Sequence, residues 1–593
     1  MHVIATAGHV DHGKSTLIRA LTGMEPDRWA EEQRRGMTID LGYAWTTLAS
    51  GTEIAFVDVP GHERFITNML AGVGSVPAVL FVVAADAGWS AQSAQHLEAL
   101  NALDVRHGVL AVTRADLGDA GVAIEEARGY LAGTSLAAIP AVAVSPVTGL
   151  GLDDLRCALE EVTTELPTHV PGPARLWIDR VFSVRGAGTV VTGTLQSGTI
   201  AVEDELEVRP SGRIVRVRGI ESLKRARTDI SAVARVALSL RNVKVTELRR
   251  GDALTTPGGW GDSHVIDVRL SAELPPRSRL TIHVGSASTT ARVRALDESL
   301  ARLTLSRPLS VHIGERLVAR DPGSQLVGGA TVLDPRPAPL MRRGAARARA
   351  AELATHTGFA DWSDEVGRRG AVRRGELTML GYPGGNAPDA VREVAGWFVA
   401  ERQWTTWLDG LVAVADMWSR HRPLNPGVPA REMARALDVP DAALIARLVA
   451  ESPELIIDQG GVHRPETAPQ LSAAASSAVE ALEMRLREKP FAAMESAELA
   501  AAGLSDQLLA VASRGGRLLR VAPGIYLLPD AADVAVERLR RLPGEFTVSE
   551  ARQSLDTTRR VTMPLLELLD RTHRTFRVDD QRRSLRRPRD ATA

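Results

Sequence analysis

The stretch Gly8-His-Val-Asp-His-Gly-Lys14-Ser15 limits what this chain can fold into more than any other. It fits G-x-x-x-x-G-K-[ST], a loop whose glycines let the backbone turn so that its N–H groups face phosphate oxygens. An apolar run, residues 2–7, precedes it, and a helical pattern, 16–21, follows. A helix start adds its dipole to such an anion site. Strand, loop and helix in that order commit the first domain to an α/β sheet with crossover helices. The phosphate-facing candidates are Gly8, His9, Val10, Asp11, His12, Gly13, Lys14, Ser15 and Thr16. Lys14 is placed to span the β- and γ-phosphates of a nucleotide, and the Ser15 hydroxyl to hold Mg²⁺. A chance glycine-rich turn is the competing reading, and it explains neither flank.

Three further pieces follow in chain order. Asp58-Val-Pro-Gly61 ends an apolar run, so Asp58 can reach the Mg²⁺ shell while the Gly61 N–H touches a γ-phosphate. Thr38 is a loop hydroxyl that can complete the metal's coordination only when that phosphate is present. Ser15, Thr38 and Asp58 are thus the metal candidates, and two loops that lose a partner on hydrolysis make a switch. His62 follows Gly61 directly and is the catalytic candidate, placed to position an attacking water. Its plainer alternative is a surface histidine. Thr113-Arg114-Ala-Asp116 should read the base, because the Asp116 carboxylate can accept both N1–H and N2–H₂ of guanine. Ser145-Pro146-Val147 can support the base carbonyl from its backbone. The expected nucleotide is therefore GTP or GDP.

Beyond residue 170 the texture changes. Short β-branched runs broken by Gly, Asp and Ser imply two antiparallel barrels, 171–257 and 258–340, with Thr256-Pro-Gly-Gly259 as the seam. From 341 the chain is Ala-, Leu- and Arg-rich, and a plan of helix, turn, helix and short β segment recurs near every sixty residues. This predicts winged helices at 401–467, 468–532 and 533–593, with a degenerate copy at 341–400. The expectation is four small modules on a stalk. In the last, Arg559 and Arg560 fall in the first turns of a second helix, and Arg577, Arg582 and Arg583 on a wing. All five are candidate RNA contacts, since arginine can meet phosphate or stack on splayed bases. A protein-binding winged helix is the alternative.

Taken together, residues 8–15, Asp58-Val-Pro-Gly-His62 and the guanine motif resemble the translational GTPase family of the elongation factor Tu type. The resemblance implies that His62 acts on the hydrolytic water when a ribosome repositions it, and that Val10 and Ile39 form a hydrophobic gate restraining it. The guanine motif departs from the usual Asn-Lys-x-Asp, with Thr113 for Asn and Arg114 for Lys. Phe182-Ser-Val-Arg-Gly-Ala-Gly-Thr-Val-Val-Thr-Gly193 is similar to the first strand pair of the family's second domain. Arg35-Gly-Met-Thr-Ile-Asp-Leu-Gly-Tyr43 and Gly328-Gly-Ala-Thr-Val-Leu-Asp-Pro335 look like the selenocysteine-specific branch. That branch implies selenocysteinyl-tRNA, an mRNA hairpin and the ribosome as partners, with delivery at a recoded UGA codon. A selenol ionises more readily than a thiol, so a positively charged amino-acid pocket is expected. Asp179, Arg180 and Arg241 are its candidates, with Arg180 held by the carboxylate. The competing reading of these three is an ordinary ion pair.

Composition narrows the setting. Apolar residues are 44% and charged residues 24% of 593, the balance of a soluble, several-domain chain. The longest apolar run, 76–85, is too short to span a bilayer, so no membrane partner is expected. One cysteine, Cys157, fits a reducing cytoplasm and reads as a small core residue. Net charge is −1, yet eight arginines crowd residues 571–593. The expected protein is a cytoplasmic monomer. A general translational GTPase, or a GTP-gated nucleic-acid-binding regulator, remain as alternatives.

Overall fold

A computed structural model describes residues 1–593 apart from 27–37, 39, 63–64, 75, 272–278, 322, 324–326, 357, 359–361, 383–386, 459–460, 467–470, 580 and 587–593. The first domain is a six-stranded sheet of β1 (His2–Ala7), β2 (Gly42–Thr47), β3 (Glu53–Asp58), β4 (Ala78–Ala84), β5 (His107–Thr113) and β6 (Ala141–Ala143). Their order is β2-β3-β1-β4-β5-β6, parallel except for β2 against β3. β1 and β4 are buried along their whole length. Such continuous apolar strands are stable only with helices on both faces, which leaves the loops at their carboxyl ends to build a site.

Two closed β-barrels follow. In the first, strands Glu205–Arg209, Ala253–Thr255, Arg175–Val184, Gly188–Ser197, Ala234–Arg241 and Arg213–Ser222 pair in that order, and the last pairs back to the first. The second barrel runs from Ser263–Leu270 to Val327–Asp334. Alternation of buried and exposed residues along Ala287–Ala295 shows why a barrel forms: one face fills the interior and the other meets solvent.

The helical region does not follow the expected layout of four modules on a stalk. The chain divides into two compact units, Met1–Val391 with Gly396–Phe398, and Arg392–Ala395 with Val399 onward. Most of the first helical module therefore belongs with the barrels. Arg349, on helix Ala345–Ala354, reaches into the second barrel and binds Asp267 and Asp334. Asp267 also holds Arg302, directly across the strand pair, at 2.7 Å. Arg368 and Arg369 bridge Asp334 to Glu365, whose carboxylate accepts from Tyr382 at 3.1 Å. In the second unit, three helix-turn-helix segments each carry a β wing. The last two share one core, in which Phe491, Leu509, Leu527, Phe546 and Leu566 are buried together. Cys157 faces outward on helix Leu152–Glu165, opposite the buried stripe of Leu155, Leu159 and Val162, and is not a core residue.

Candidate functional site

The phosphate loop leaves β1 at Gly8, whose φ is +122°. A side chain there would stand 2.1 Å from the Val82 carbonyl oxygen, so only glycine fits between the two strands. Helix Lys14–Thr22 then begins inside the loop. Lys14, only 3% exposed, donates to the Gly8 and His9 carbonyls at 3.0 and 2.8 Å. Three oxygens converge beside it. Ser15 Oγ donates to Asp58 Oδ2 at 2.7 Å, and Thr38 Oγ1 lies 3.1 Å from the same hydroxyl. Asp58 is fully buried and accepts a second bond from Thr6, 2.7 Å. Burial pushes its carboxyl upward, opposed by the Lys14 ammonium.

One carboxylate and two hydroxyls suit Mg²⁺, which takes few protein ligands and completes its shell with phosphate oxygens and water. Among the described residues no cluster of three His, Cys, Asp or Glu side chains could hold a metal by itself. Gly61 presses on the loop from the other side. A Cβ there would meet Val10 N at 2.5 Å and Lys14 Nζ at 2.6 Å. That contact brings His62 to the mouth of the site, half-buried, with its ring 6.1 Å from that of Phe65. Val10 is in place beside Gly61, whereas Ile39, the other half of the expected gate, lies outside the described residues.

The altered guanine motif has its own geometry. Thr113 Oγ1 donates to the His12 carbonyl at 2.8 Å, tying this motif to the 8–15 loop without a carboxamide. Arg114, with φ +55°, reaches back to donate to the Asp11 carbonyl at 2.6 Å and pairs with Asp86 at 2.9 Å. Its planar head is thereby held against the loop. Asp116 is exposed beyond it, and the Ala115 N–H donates to Val144 O, which sets the motif against Ser145. Ser145 is buried and turns its loop, while Val147 is 84% exposed. Asp86 was missed in the sequence because its role depends on meeting a residue 28 positions away.

A second cluster joins the α/β sheet to the first barrel. Tyr43 on β2 packs against two guanidiniums, Arg235 at 3.9 Å and Arg180 at 5.0 Å from its ring. Its hydroxyl donates to Asp179 at 3.3 Å. Asp179 does not hold Arg180, as the sequence suggested: a bulge between Ile178 and Arg180 turns it to Arg235 and Thr192. Arg180 instead pairs with Asp40 at 3.3 Å and donates to the Leu41 carbonyl. Arg241 is half-exposed, paired with Glu203, and four residues along its strand from the position level with Arg180, about 13 Å away. It is no part of this cluster. Tyr43, Arg180, Thr192, Lys224 and Arg235 line a pocket of about 260 Å³ together with Glu221, so three cations there face one carboxylate.

Comparison with known proteins fits this geometry. Residues 1–168 match the family model for the elongation factor Tu GTP-binding domain. Residues 262–339 match the β-barrel domain of selenocysteine-specific elongation factor, and 537–584 the winged helix of elongation factor SelB. The selenocysteine-specific elongation factor of Desulfomicrobium baculatum is 30% identical over 99% of this chain and 100% of its own length. The chain belongs to the selenocysteine-specific elongation factor family. The Escherichia coli K12 member is 31% identical, covering 96% of each chain. A crystal structure of bacterial selenocysteine-specific elongation factor EF-Sec superposes with a TM-score of 0.79, at 25% identity, over 99% of this chain and 100% of that one. As a member of the family this is an elongation factor with a guanine-nucleotide-binding domain, a translational GTPase. Among the described residues no helix is long and apolar enough to cross a membrane.

In the winged helix that the family model matches, the arginines divide. Arg559 lines a groove of about 380 Å³ with Thr547, Ser549, Arg552 and Gln581. Arg582 is 56% exposed near Glu545, 3.5 Å away. Arg577, 60% exposed, lines a different groove with Arg571, His573, Phe576 and Arg586. Arg560 donates to the carbonyls of Ala493, Met494 and Gly524, so it staples the last module to the one before it. Arg583 is 5% exposed and bound to Asp570 at 3.0 Å. Arg583 is thus buried in the fold, whereas Arg560 makes its bonds at the exposed surface. The sequence missed Arg552, which sits on the preceding helix.

Proposed function

We propose that this protein binds GTP with Mg²⁺, carries selenocysteinyl-tRNA to the ribosome at a recoded UGA codon, and reads an mRNA hairpin through residues 533–593. It works in the cytoplasm as a monomer. Gly8, Val10, Gly13, Lys14, Ser15 and Thr16 cradle the phosphates, and Thr113, Arg114, Asp116 and residues 145–147 take the base. Ser15, Thr38 and Asp58 hold the metal, which when bound neutralises phosphate charge as a Lewis acid. His62 orients the attacking water, Gly61 senses the γ-phosphate, and Val10 with Ile39 keeps His62 back until the ribosome triggers it. The domain limits are 1–170, 171–257, 258–340, 341–400, 401–467, 468–532 and 533–593.

The observation that carries the selenocysteine part is the cationic pocket around Tyr43. A selenolate entering it would meet Arg180 and Arg235, whereas the neutral hydroxyl of serine gains little from either. Hydrogen bonds to charged groups contribute about 1.5–3 kcal/mol. Arg235→Ala should therefore weaken ester protection of selenocysteinyl-tRNA about 10- to 100-fold, and that of seryl-tRNA on the same tRNA far less. The measurement is ester hydrolysis in the presence of the GTP-loaded protein. Equal protection of selenocysteinyl, seryl and ordinary elongator tRNAs by wild type would mean a general factor. Protection of none would favour a GTP-gated regulator.

The Arg552 and Arg559 groove supports hairpin reading. Arg559→Ala should weaken binding of the cognate hairpin and lower the slope of log affinity against log salt by about one. Hairpin affinity measured by fluorescence anisotropy at several salt concentrations checks this, and an unchanged slope would move the contact elsewhere.

A further inference from the structure

Helix Ala91–Ala102 carries none of the nucleotide motifs, yet it holds the phosphate loop. It starts at Ser90, whose hydroxyl accepts from the Ser93 N–H at 3.1 Å. Four residues apart, Gln92 and His96 share one helix face, turned toward the loop. The Gly8 N–H donates to His96 Nδ1 at 3.1 Å, and the Val10 N–H to Gln92 Oε1 at 3.4 Å. Two main-chain donors at the entrance of the loop thus take their acceptors from this helix. His96 is 4% exposed, and burial, reinforced by the Lys14 and His9 charges, lowers its pKa to about 3. The ring is therefore neutral at physiological pH, with its proton on Nε2 and the Nδ1 lone pair available to Gly8. The helix is also braced at its far end. The Ala102 carbonyl oxygen lies 2.8 Å from where a Cβ on Gly329 of the second barrel would stand, and Asp104 pairs with Arg316 at 3.4 Å.

We propose that His96, assisted by Gln92, is a positioning residue for the nucleotide: it fixes the Gly8–Val10 backbone so that the loop and the start of helix Lys14–Thr22 face the phosphates. The inference rests on the phosphate-loop reading above. His96 acts through the loop and touches neither nucleotide nor water. Its loss should therefore appear in nucleotide retention and leave the ribosome-triggered step unchanged once GTP saturates the site.

The test uses the full-length protein with His96→Leu, of similar size but without an acceptor, and His96→Asn, whose Oδ1 can stand where Nδ1 does. Release of fluorescent GDP and GTP analogues is followed by stopped flow, beside thermal unfolding of each variant and kcat at saturating GTP with ribosomes. His96→Leu should release both nucleotides about tenfold faster, the size expected for one lost buried hydrogen bond. His96→Asn should recover most of that loss, and kcat should hold for both variants. If Leu and Asn behave alike, whether both resemble wild type or both lose retention in step with lowered unfolding temperature, His96 is only a core residue. Lys14→Ala serves as the separate control. Full nucleotide affinity in that variant would overturn the phosphate-loop reading itself, whatever His96 does.

Discussion

His62→Ala should lower ribosome-stimulated GTP hydrolysis about 10²- to 10⁴-fold, the usual range for a positioned acid–base group. GDP and GTP affinity should stay at wild-type values. The separation follows from the layout of the site. In the proposed site, Lys14, Ser15 and the loop amides would take the phosphates, and Thr113, Arg114 and Asp116 the base. His62 belongs to neither set; it follows Gly61, which packs against Val10 and Lys14. Single-turnover hydrolysis with programmed ribosomes, beside equilibrium nucleotide binding, checks both halves. Hydrolysis within tenfold of wild type would mean that another group orients the water. Loss of nucleotide binding would mean that the switch segment, not the imidazole, had been damaged.

Asp267→Ala should be the most destabilising single change outside the nucleotide site. Asp267 is fully buried and accepts from both Arg302 and Arg349, themselves 6% and 7% exposed. Removing it leaves Arg302 with the Ala338 carbonyl, and Arg349 with Asp334 and Glu352, both guanidiniums still buried. Breaking one side of a buried ion pair costs about 3–5 kcal/mol. The loss belongs to the Met1–Val391 unit, so calorimetry should show that unit melting roughly 5 °C or more lower. The transition of the other unit should stay where it is. An unmoved first transition would show that Asp334 and Glu365 suffice to hold the helical module on the barrel. Asp267→Asn tests the same idea more gently, since it keeps the volume and one acceptor.

How much of this was legible in advance depended on how far apart the cooperating residues lie. The phosphate loop, the Asp58–His62 segment and the guanine motif are short and contiguous. Each needs a turn of fixed length after its strand, so spacing alone marks them as candidates. The succession of α/β domain, barrels and winged helices was likewise readable, because periods of two and 3.6 residues are local properties. Arginine partners were not. Asp179 follows Ile178 in a strand, and only the bulge there decides that it meets Arg235 and leaves Arg180 to Asp40. Arg235 and Arg241 stand on the same strand with the same alternation, and nothing local marks which one faces Tyr43. Arg559 and Arg560 are neighbours in sequence, yet one lines a groove and the other staples two modules. An ion pair is set by the register of strands far apart in the chain and by which helix docks beside them. By itself the sequence determined which candidate motifs are present and in what order. The tertiary structure decided which charges are buried together, since burial is a property of packed surfaces that no single segment carries.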